Sequence, residues 1–484
     1  MRQSFARRFV LAAAIVVFSS AGAVLVAQAG DFVQPNDSDF DCDGVRDSVS
    51  ADTSATVNGD PGAGAVTVTM SSAGRLVITQ DTEGVPGVAE PRDGFGWAYA
   101  AYDRNKDGCD DLVIGAPFED AGPTKDTGIA YLIPGSSAAG LATAQTKVLE
   151  QGSGGLPGVP EAGDLFGSMM AAGATSTGIP FLIIGASGES RGSIRESGVI
   201  YYIRPDVVAA FDQSLRGLAT DPWYGEDFGS TIAASDRHFA VSAPGEQVDQ
   251  GSDGLVHVFS HTLFEGRPKP IANISQNSPG ISGVAEAEDY FGDALSVLPY
   301  QPSSSSAVGA LVAVGSPGED IGSVDRAGMS HLIYVSATGG VSELLAVNQG
   351  TSGVSSSPEP WDVFGSATVL ANLDPTAKAA TPQTAVWVVG VPGESTHYTY
   401  RGAVHVFRPG WRPGQNDITV DPGEYGLRSD PSYAPIWIRA TSGHFQLASN
   451  GSSDVMECNW VPWANILNGA SEPVLVKPDD CGRH

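Results

Sequence analysis

The chain has 484 residues, in which 60 glycines and 32 prolines punctuate an ordinary 42% apolar content. That composition excludes a disordered chain and fits many short strands joined by tight turns. A net charge of −29 argues against nucleic acid and anionic membrane surfaces as partners, and is compatible with cations.

In chain order, the first element is a leader. Arg2, Arg7 and Arg8 precede an apolar run from Phe9 to Phe18, and Ala27-Gln28-Ala29 has the small-x-small pattern of a cleavage site. Residues 1–29 are therefore expected to be a secretory signal peptide, the apolar core being short for a spanning helix. No later stretch is apolar enough to span a bilayer, so the mature chain is expected to be secreted and extracellular.

A repeat follows. Asp93-Gly94-Phe95-Gly96, Asp164-Leu165-Phe166-Gly167, Asp289-Tyr290-Phe291-Gly292 and Asp362-Val363-Phe364-Gly365 share one pattern, and the shorter Asp227-Phe228-Gly229 fills the remaining place. After each comes an apolar strand ending in a small-residue turn: Gly115-Ala116-Pro117, Gly185-Ala186-Ser187, Ser242-Ala243-Pro244, Gly315-Ser316-Pro317 and Gly390-Val391-Pro392. A glutamate stands two residues further on each time, as Glu119, Glu189, Glu246, Glu319 and Glu394. A third anchor is a glycine opening another apolar strand, at Gly128, Gly198, Gly254, Gly328 and Gly402. Three separated anchors recurring together five times mark a repeat architecture.

Phe-Gly followed by Gly-Ala-Pro at this spacing resembles the FG-GAP repeats of the integrin alpha-subunit head. The resemblance implies an all-β fold, a β-propeller with one four-stranded blade per repeat and usually seven blades. It covers residues 30–425. A sixth repeat lacking Phe-Gly opens it, with Asp47–Asp52 in place of the inner strand and Gly64–Val68 as the next strand. Six blades are thus readable. Residues 426–484 are expected to be a closing blade or a small disulfide-containing module, with strands at Pro435–Ile438 and His444–Leu447 and with Trp460 and Trp463 in its core.

A carboxylate loop occurs twice, as Asp39-x-Asp41-x-Asp43-Gly44-x-x-Asp47 and Asp103-x-Asn105-x-Asp107-Gly108-x-x-Asp111. Positions 1, 3 and 5 turn oxygens inward, glycine at 6 permits the turn, and the carbonyl at 7 (Val45, Cys109) and the carboxylate at 9 complete an oxygen shell. Such a shell suits Ca²⁺. Position 12 is Ser50 or Ile114 rather than glutamate, and a strand follows each loop, so the loops resemble the family's β-hairpin calcium loop and not an EF-hand. Two calcium ions are expected, in the first two blades. The equivalent segments of the other blades, Gly173–Gly178, Ser235–Arg237, Gln301–Ala307 and Asn372–Gln383, lack the spacing. Cys42 and Cys109 each sit in a calcium loop of adjacent blades, and Cys458 and Cys481 share the tail. Disulfides are expected within each pair in an oxidising compartment.

Two functions fit. One is a binding or adhesion module for an extracellular protein or glycan, acting as a monomer, with Tyr102, Trp223, Tyr224, Trp361 and Tyr398 near loop positions. The other is an exported hydrolase or lyase, its pocket on the propeller axis ringed by Glu119, Glu189, Glu246, Glu319 and Glu394. For those glutamates an inter-blade hydrogen-bond role is the competing reading. Gly188-Glu189-Ser190-Arg191-Gly192 matches a nucleophile elbow, but no helix pattern follows it and Gly-Glu belongs to the repeat. His257, His331 and His405 share one repeat position with Tyr131 and Tyr201, which marks packing rather than catalysis.

Overall fold

The computed structural model describes residues 38–218, 224–247, 253–395, 402–407, 410, 418–420, 435–440, 444–450, 456–468 and 475–478. The leader, Trp223, Tyr398 and Cys481 lie outside the described residues, as do the side chains of Cys458 and Trp460. Among the described residues no helix is long and apolar enough to cross a membrane.

Successive strands pair antiparallel with their neighbours in sequence, giving one sheet per repeat. Blade 1 has three strands, Ser48–Asp52, Ala65–Met70 and Gly74–Ile78. Blade 2 runs Tyr99–Tyr102, Asp111–Ala116, Ile129–Ile133 and Lys147–Leu149. Blade 3 runs Phe166–Ala174, Pro180–Ala186, Val199–Arg204 and Val207–Phe211, and blade 4 Ile232–Ala234, His238–Ala243, Leu255–Phe264 and Arg267–Ile274. Blade 5 holds Ala294–Tyr300, Gly309–Ser316, Met329–Val335 and Val341–Val347, and blade 6 Ala367–Asn372, Ala385–Val391, Ala403–Phe407 and Ile418–Val420. A seventh sheet follows, of Pro435–Ala440, His444–Asn450, Met456–Pro462 and Leu475–Pro478. It packs on blade 6 through Ile438, Val461, Trp463 and Ile466 against Val369, Val386 and Val388. The fold is a β-propeller.

The strand after each carboxylate-loop position is buried from end to end in blades 2 to 6, because sheets cover both of its faces. That is why those strands read as unbroken apolar runs. The Phe-Gly and Gly-Ala-Pro anchors sit where blades meet. A Cβ on Gly115 would lie 2.2 Å from the carbonyl oxygen of Gly167 in the next blade, and one on Gly315 would lie 1.9 Å from that of Gly365. Only glycine fits such a backbone approach. Each anchoring phenylalanine is fully buried and meets the tyrosine or histidine of its blade's third strand. Ring centroids are 5.3 Å apart for Phe95–Tyr131, 5.1 Å for Phe166–Tyr201, 5.5 Å for Phe228–His257, 5.3 Å for Phe291–His331 and 5.4 Å for Phe364–His405. These histidines are packing residues, as their repeat position implies.

Blade 4 corrects one anchor. Asp227 is not the counterpart of Asp93 and Asp164. It takes the x position, with φ of 54° beside 57° at Leu165, 53° at Tyr290 and 49° at Val363. Glu226, fully buried, fills the carboxylate place, and its carbonyl accepts the Gly245 N–H as that of Asp164 accepts the Gly188 N–H.

Candidate functional site

Up-and-down strand order puts the first-to-second and third-to-fourth hairpins at one end of the propeller. The second-to-third hairpins and the links between blades lie at the other. Both carboxylate loops belong to the first end, leading into the second strand of blade 2 and its equivalent in blade 1.

The two loops fold alike. Asp39 accepts the N–H groups of Asp43 (3.1 Å) and Gly44 (2.9 Å), and Asp103 those of Asp107 (3.1 Å) and Gly108 (3.0 Å). The fifth position then caps the seventh: Val45 N–H donates to Asp43 at 2.7 Å, and Cys109 N–H to Asp107 at 2.9 Å. At the ninth position Asp47 accepts from Phe40 N–H (2.8 Å) and Asp111 from Arg104 N–H (3.2 Å), closing each loop on itself. Positive φ falls on matching residues, Cys42 and Lys106 at position 4 and Gly44 and Gly108 at position 6. A side chain on either glycine would meet nothing within 4 Å, so glycine serves the turn and not the space.

One carboxylate oxygen from each of Asp39, Asp41 and Asp43 lies within 4.8 Å of the others. Asp41 and Asp39 are buried, and Asp41 Oδ1 has no hydrogen-bond partner. Three clustered carboxylates, one with a buried and unpartnered oxygen, are a costly arrangement for a bare protein and a good one for a hard cation. In the second loop the third position is an amide, Asn105, whose Nδ2 donates to Asp107 at 2.8 Å, so its donor set is less acidic. Asp47 and Asp111 spend both oxygens on backbone amides, the second pair being Ser71 and Gly135 N–H at 3.2 and 3.1 Å. They are loop clamps first. Burial, with repulsion from Asp41 and Asp39, pushes Asp47 up to about 6, against the amides of Phe40 and Ser71. Burial raises Asp111 as well, opposed by Arg104, whose Nε lies 3.5 Å away. Desolvation acts to raise Asp41 too, but hydrogen bonds from Ser72, including its hydroxyl at 2.5 Å, carry it below the usual range.

The loops are stitched into one unit. A disulfide joins Cys42 to Cys109 with Cα atoms 4.8 Å apart. Asp110 N–H donates to the Asp39 carbonyl at 2.9 Å, Asp39 N–H to the Asp110 carboxylate at 3.1 Å, and Ser136 N–H to the Phe40 carbonyl at 2.8 Å. Burial raises Asp110 to about 6.

The recurring glutamates are placed at successive blade interfaces. Each accepts a hydrogen bond from a glutamine of the preceding blade: Gln80 to Glu119 at 2.6 Å, Gln276 to Glu319 at 2.5 Å, and likewise Gln151 to Glu189, Gln213 to Glu246 and Gln349 to Glu394. Gln80 and Gln151 also donate to the hydroxyls of Tyr131 and Tyr201, at 3.1 and 3.0 Å. The inter-blade role holds for all five. Burial, then repulsion from Asp93 and Asp164, raises Glu119 and Glu189 to about 7, and burial raises Glu319 to about 7. The glutamines are functional residues the sequence reading passed over. Their signal is present: Gln80, Gln151, Gln213, Gln276 and Gln349 each stand 13 residues before the anchor carboxylate.

The remaining candidates separate. Tyr102 is buried in a strand of blade 2 and is not a loop contact. Tyr224 is exposed, and Trp361 is exposed with Arg326 stacked 4.8 Å over its ring. Ser190 lies at a turn closed by the Arg191–Ile194 bridge, with no helix behind it.

Residues 95–133 match the family model of the FG-GAP repeat. That segment of the propeller is an FG-GAP repeat. No curated protein matches it significantly. Among solved structures, a Bacteroides fragilis protein described provisionally as a 6-phosphogluconolactonase is 9% identical, over 90% of this chain and 93% of that one, with a TM-score of 0.41. A triple-arginine mutant of AofleA from Arthrobotrys oligospora is also 9% identical, over 80% and 87%, with a TM-score of 0.36. The FG-GAP match spans the Phe-Gly of blade 2, its carboxylate loop and its third strand, so the repeat and the loop form one unit of sequence.

Proposed function

We propose that this FG-GAP propeller is an exported, calcium-stabilised binding module whose linked end docks an extracellular protein. One observation carries the reading. Val88, Val159 and Val284 stand at the same place in three of the blade-to-blade links and are 67%, 68% and 64% exposed, with Trp361 on another link 49% exposed. Apolar side chains repeated at the solvent end of rigid links form a spaced contact set, of the kind an interface core uses. The hydrolase or lyase reading loses its candidate residues, since the five glutamates are engaged at separate interfaces.

Calcium fits both carboxylate loops. Asp39, Asp41, Asp43 and the Val45 carbonyl would hold one ion, with Asp47 behind them. Asp103, Asn105, Asp107 and the Cys109 carbonyl would hold the other, with Asp111 behind. The ions would neutralise the loops and tie the hairpins; they sit at the end opposite the links. At about 1 mM Ca²⁺ and a Kd of about 0.1–1 mM, linkage gives on the order of 0.4–1.4 kcal/mol per site. The leader and the disulfide support an oxidising, exported location.

The test has two arms. Calcium is expected to raise the thermal midpoint relative to EDTA in the wild type but not in Asp43→Asn/Asp107→Asn; equal midpoints in the wild type would remove calcium from the reading. Immobilised protein is then exposed to cell-envelope and culture-supernatant fractions. Capture by the wild type and loss in Val88→Asp/Val159→Asp/Val284→Asp support docking. Capture unaffected by the triple change, or none by folded wild type, rejects it.

A further inference from the structure

Blades 3 to 5 lack the carboxylate loop, and at that same end of the propeller their hairpins line an open cavity of about 540 Å³. That volume lies within the range of about 300–1,000 Å³ typical of small-molecule sites. Asp236, Arg237 and His238, on the first hairpin of blade 4, line it together with Arg204 and the hydroxyls of the Thr175–Thr177 turn and of Ser260 and Thr262. The three consecutive residues each bring an orphan: Asp236 Oδ1, Arg237 Nε and His238 Nδ1 are buried with no hydrogen-bond partner. His238 itself is only 6% exposed. Asp236 and Arg237 are only half-buried, so their other polar atoms, unlike these three, are open to the cavity.

The turn is held in shape. The Ser235 hydroxyl donates to the His238 carbonyl at 2.9 Å and accepts the His238 N–H at 3.1 Å, and Ser176 N–H donates to the Asp236 carbonyl at 2.7 Å across the blade interface. His261 is fixed as the Nε2–H tautomer, because Nε2 lies 2.8 Å from the Ser235 carbonyl and can only donate there. Its Nδ1 then accepts from the Tyr202 hydroxyl at 2.8 Å. Arg204 is anchored by Asp206 (Nε to Oδ1, 2.8 Å) and donates to the His261 carbonyl at 3.0 Å. The polar groups are therefore set before a ligand arrives, which limits the ordering cost of binding.

The chemistry of the wall selects the ligand. One acceptor carboxylate beside one guanidinium matches a vicinal diol, which donates to the first and accepts from the second. The hydroxyl-lined turns opposite suit further ring hydroxyls. Arg204 is already paired with Asp206, which leaves Arg237 as the lining guanidinium to meet an acidic group on the ligand. We infer that this cavity is a carbohydrate site for a hexuronic acid unit, free or at the end of a glycan chain, with Asp236 and Arg237 reading its hydroxyls and carboxylate. It stands at the end opposite the valine-bearing links, so either reading can fail without the other.

Titration calorimetry on the exported chain with glucuronate, galacturonate and their short oligomers tests this, with glucose, galactose and acetate as controls. Saturable uronide binding is expected, roughly ten- to a hundred-fold weaker in Arg237→Met and in Asp236→Asn, as loss of a charge-assisted hydrogen bond implies. Tighter binding of oligomers than of single sugars identifies a chain end as the source, and equal binding identifies the free acid. Unchanged melting of both variants shows that they fold. No saturable uronide binding by folded wild type, binding no stronger than acetate, or binding unaffected by either variant overturns the inference. If a variant does not fold, Thr177→Val and Ser260→Ala replace it, with weakened uronide binding again required.

Discussion

The glutamates between blades make the propeller's stability fall as pH rises, and Glu319→Gln isolates the effect. Glu319 is 9% exposed, accepts from Gln276 at 2.5 Å, and is raised from 4.5 to about 7 by burial, with Asp289, Glu286 and Asp320 adding repulsion. The folded state thus holds a proton that the unfolded chain releases near pH 4.5. The associated stability is fully present below that value and is lost as pH rises through about 7. A shift of this size has a ceiling of about 3 kcal/mol at about 1.4 kcal/mol per unit; sharing the site with Asp289, itself raised to about 7 by burial, brings the expectation to about 1–2 kcal/mol.

Glutamine keeps the acceptor for Gln276 and never ionises, so the variant should lose the cost at high pH and nothing at low pH. Thermal melts at pH 5 and pH 8 read this directly. The variant is expected to match wild type at pH 5 and to melt about 1–4 °C higher at pH 8. An equal shift at both pH values would mean that the substitution acts through packing. A lower midpoint at pH 8 would mean that the ionised glutamate is stabilising, and would refute the reasoning.

The other predictions rest on the stitched loops and on blade packing. Cys42→Ser/Cys109→Ser releases a cross-link between residues 67 apart and is expected to cost about 2–4 kcal/mol, read as a lower midpoint in non-reducing melts. An unchanged midpoint would show that the hydrogen bonds between Asp39 and Asp110 suffice. Gly315→Ala drives a methyl into the Gly365 carbonyl and should cost more than 2 kcal/mol, whereas Gly322→Ala, where a Cβ meets nothing within 4 Å, pays only for its φ of 69° and should cost less. Similar melts for the two would undercut the crowding account of the Gly-Ala-Pro turn.

What the sequence made legible is what one blade imposes on the next. Phe364 and Gly365 must meet the backbone of blade 5, so their identities recur in every comparable blade. The carboxylate loops were legible because each is a closed local scheme of side chain to backbone bonds within nine residues. The glutamine at each interface is harder to see, because its partner lies across the blade boundary, 39 residues away at Gln80 and Glu119, and its fixed distance of 13 residues from the anchor carboxylate shows only once the blades are aligned. Blade 4 was misaligned for a similar reason. Glu226 substitutes for aspartate, and the neighbouring Asp227 imitates the expected letter while occupying the left-handed x position.

The cavity was illegible for the opposite reason: no two of its walls share a pattern. Thr175–Thr177, Asp236–His238 and Val308 come from the first hairpins of three blades that lack the calcium spacing. Viewed as lost calcium loops, those segments carry no signal. Viewed together, they are where the fold has chemical freedom, because the buried strands on either side fix the hairpin's feet and leave its tip unconstrained. In blades 1 and 2 the tips hold carboxylates and a disulfide. In blades 3 and 4 the same tips hold hydroxyls, an arginine and unpaired buried atoms. The uronide titration measures whether this divergence in hairpin chemistry gives that end a specificity of its own, separate from docking at the linked end.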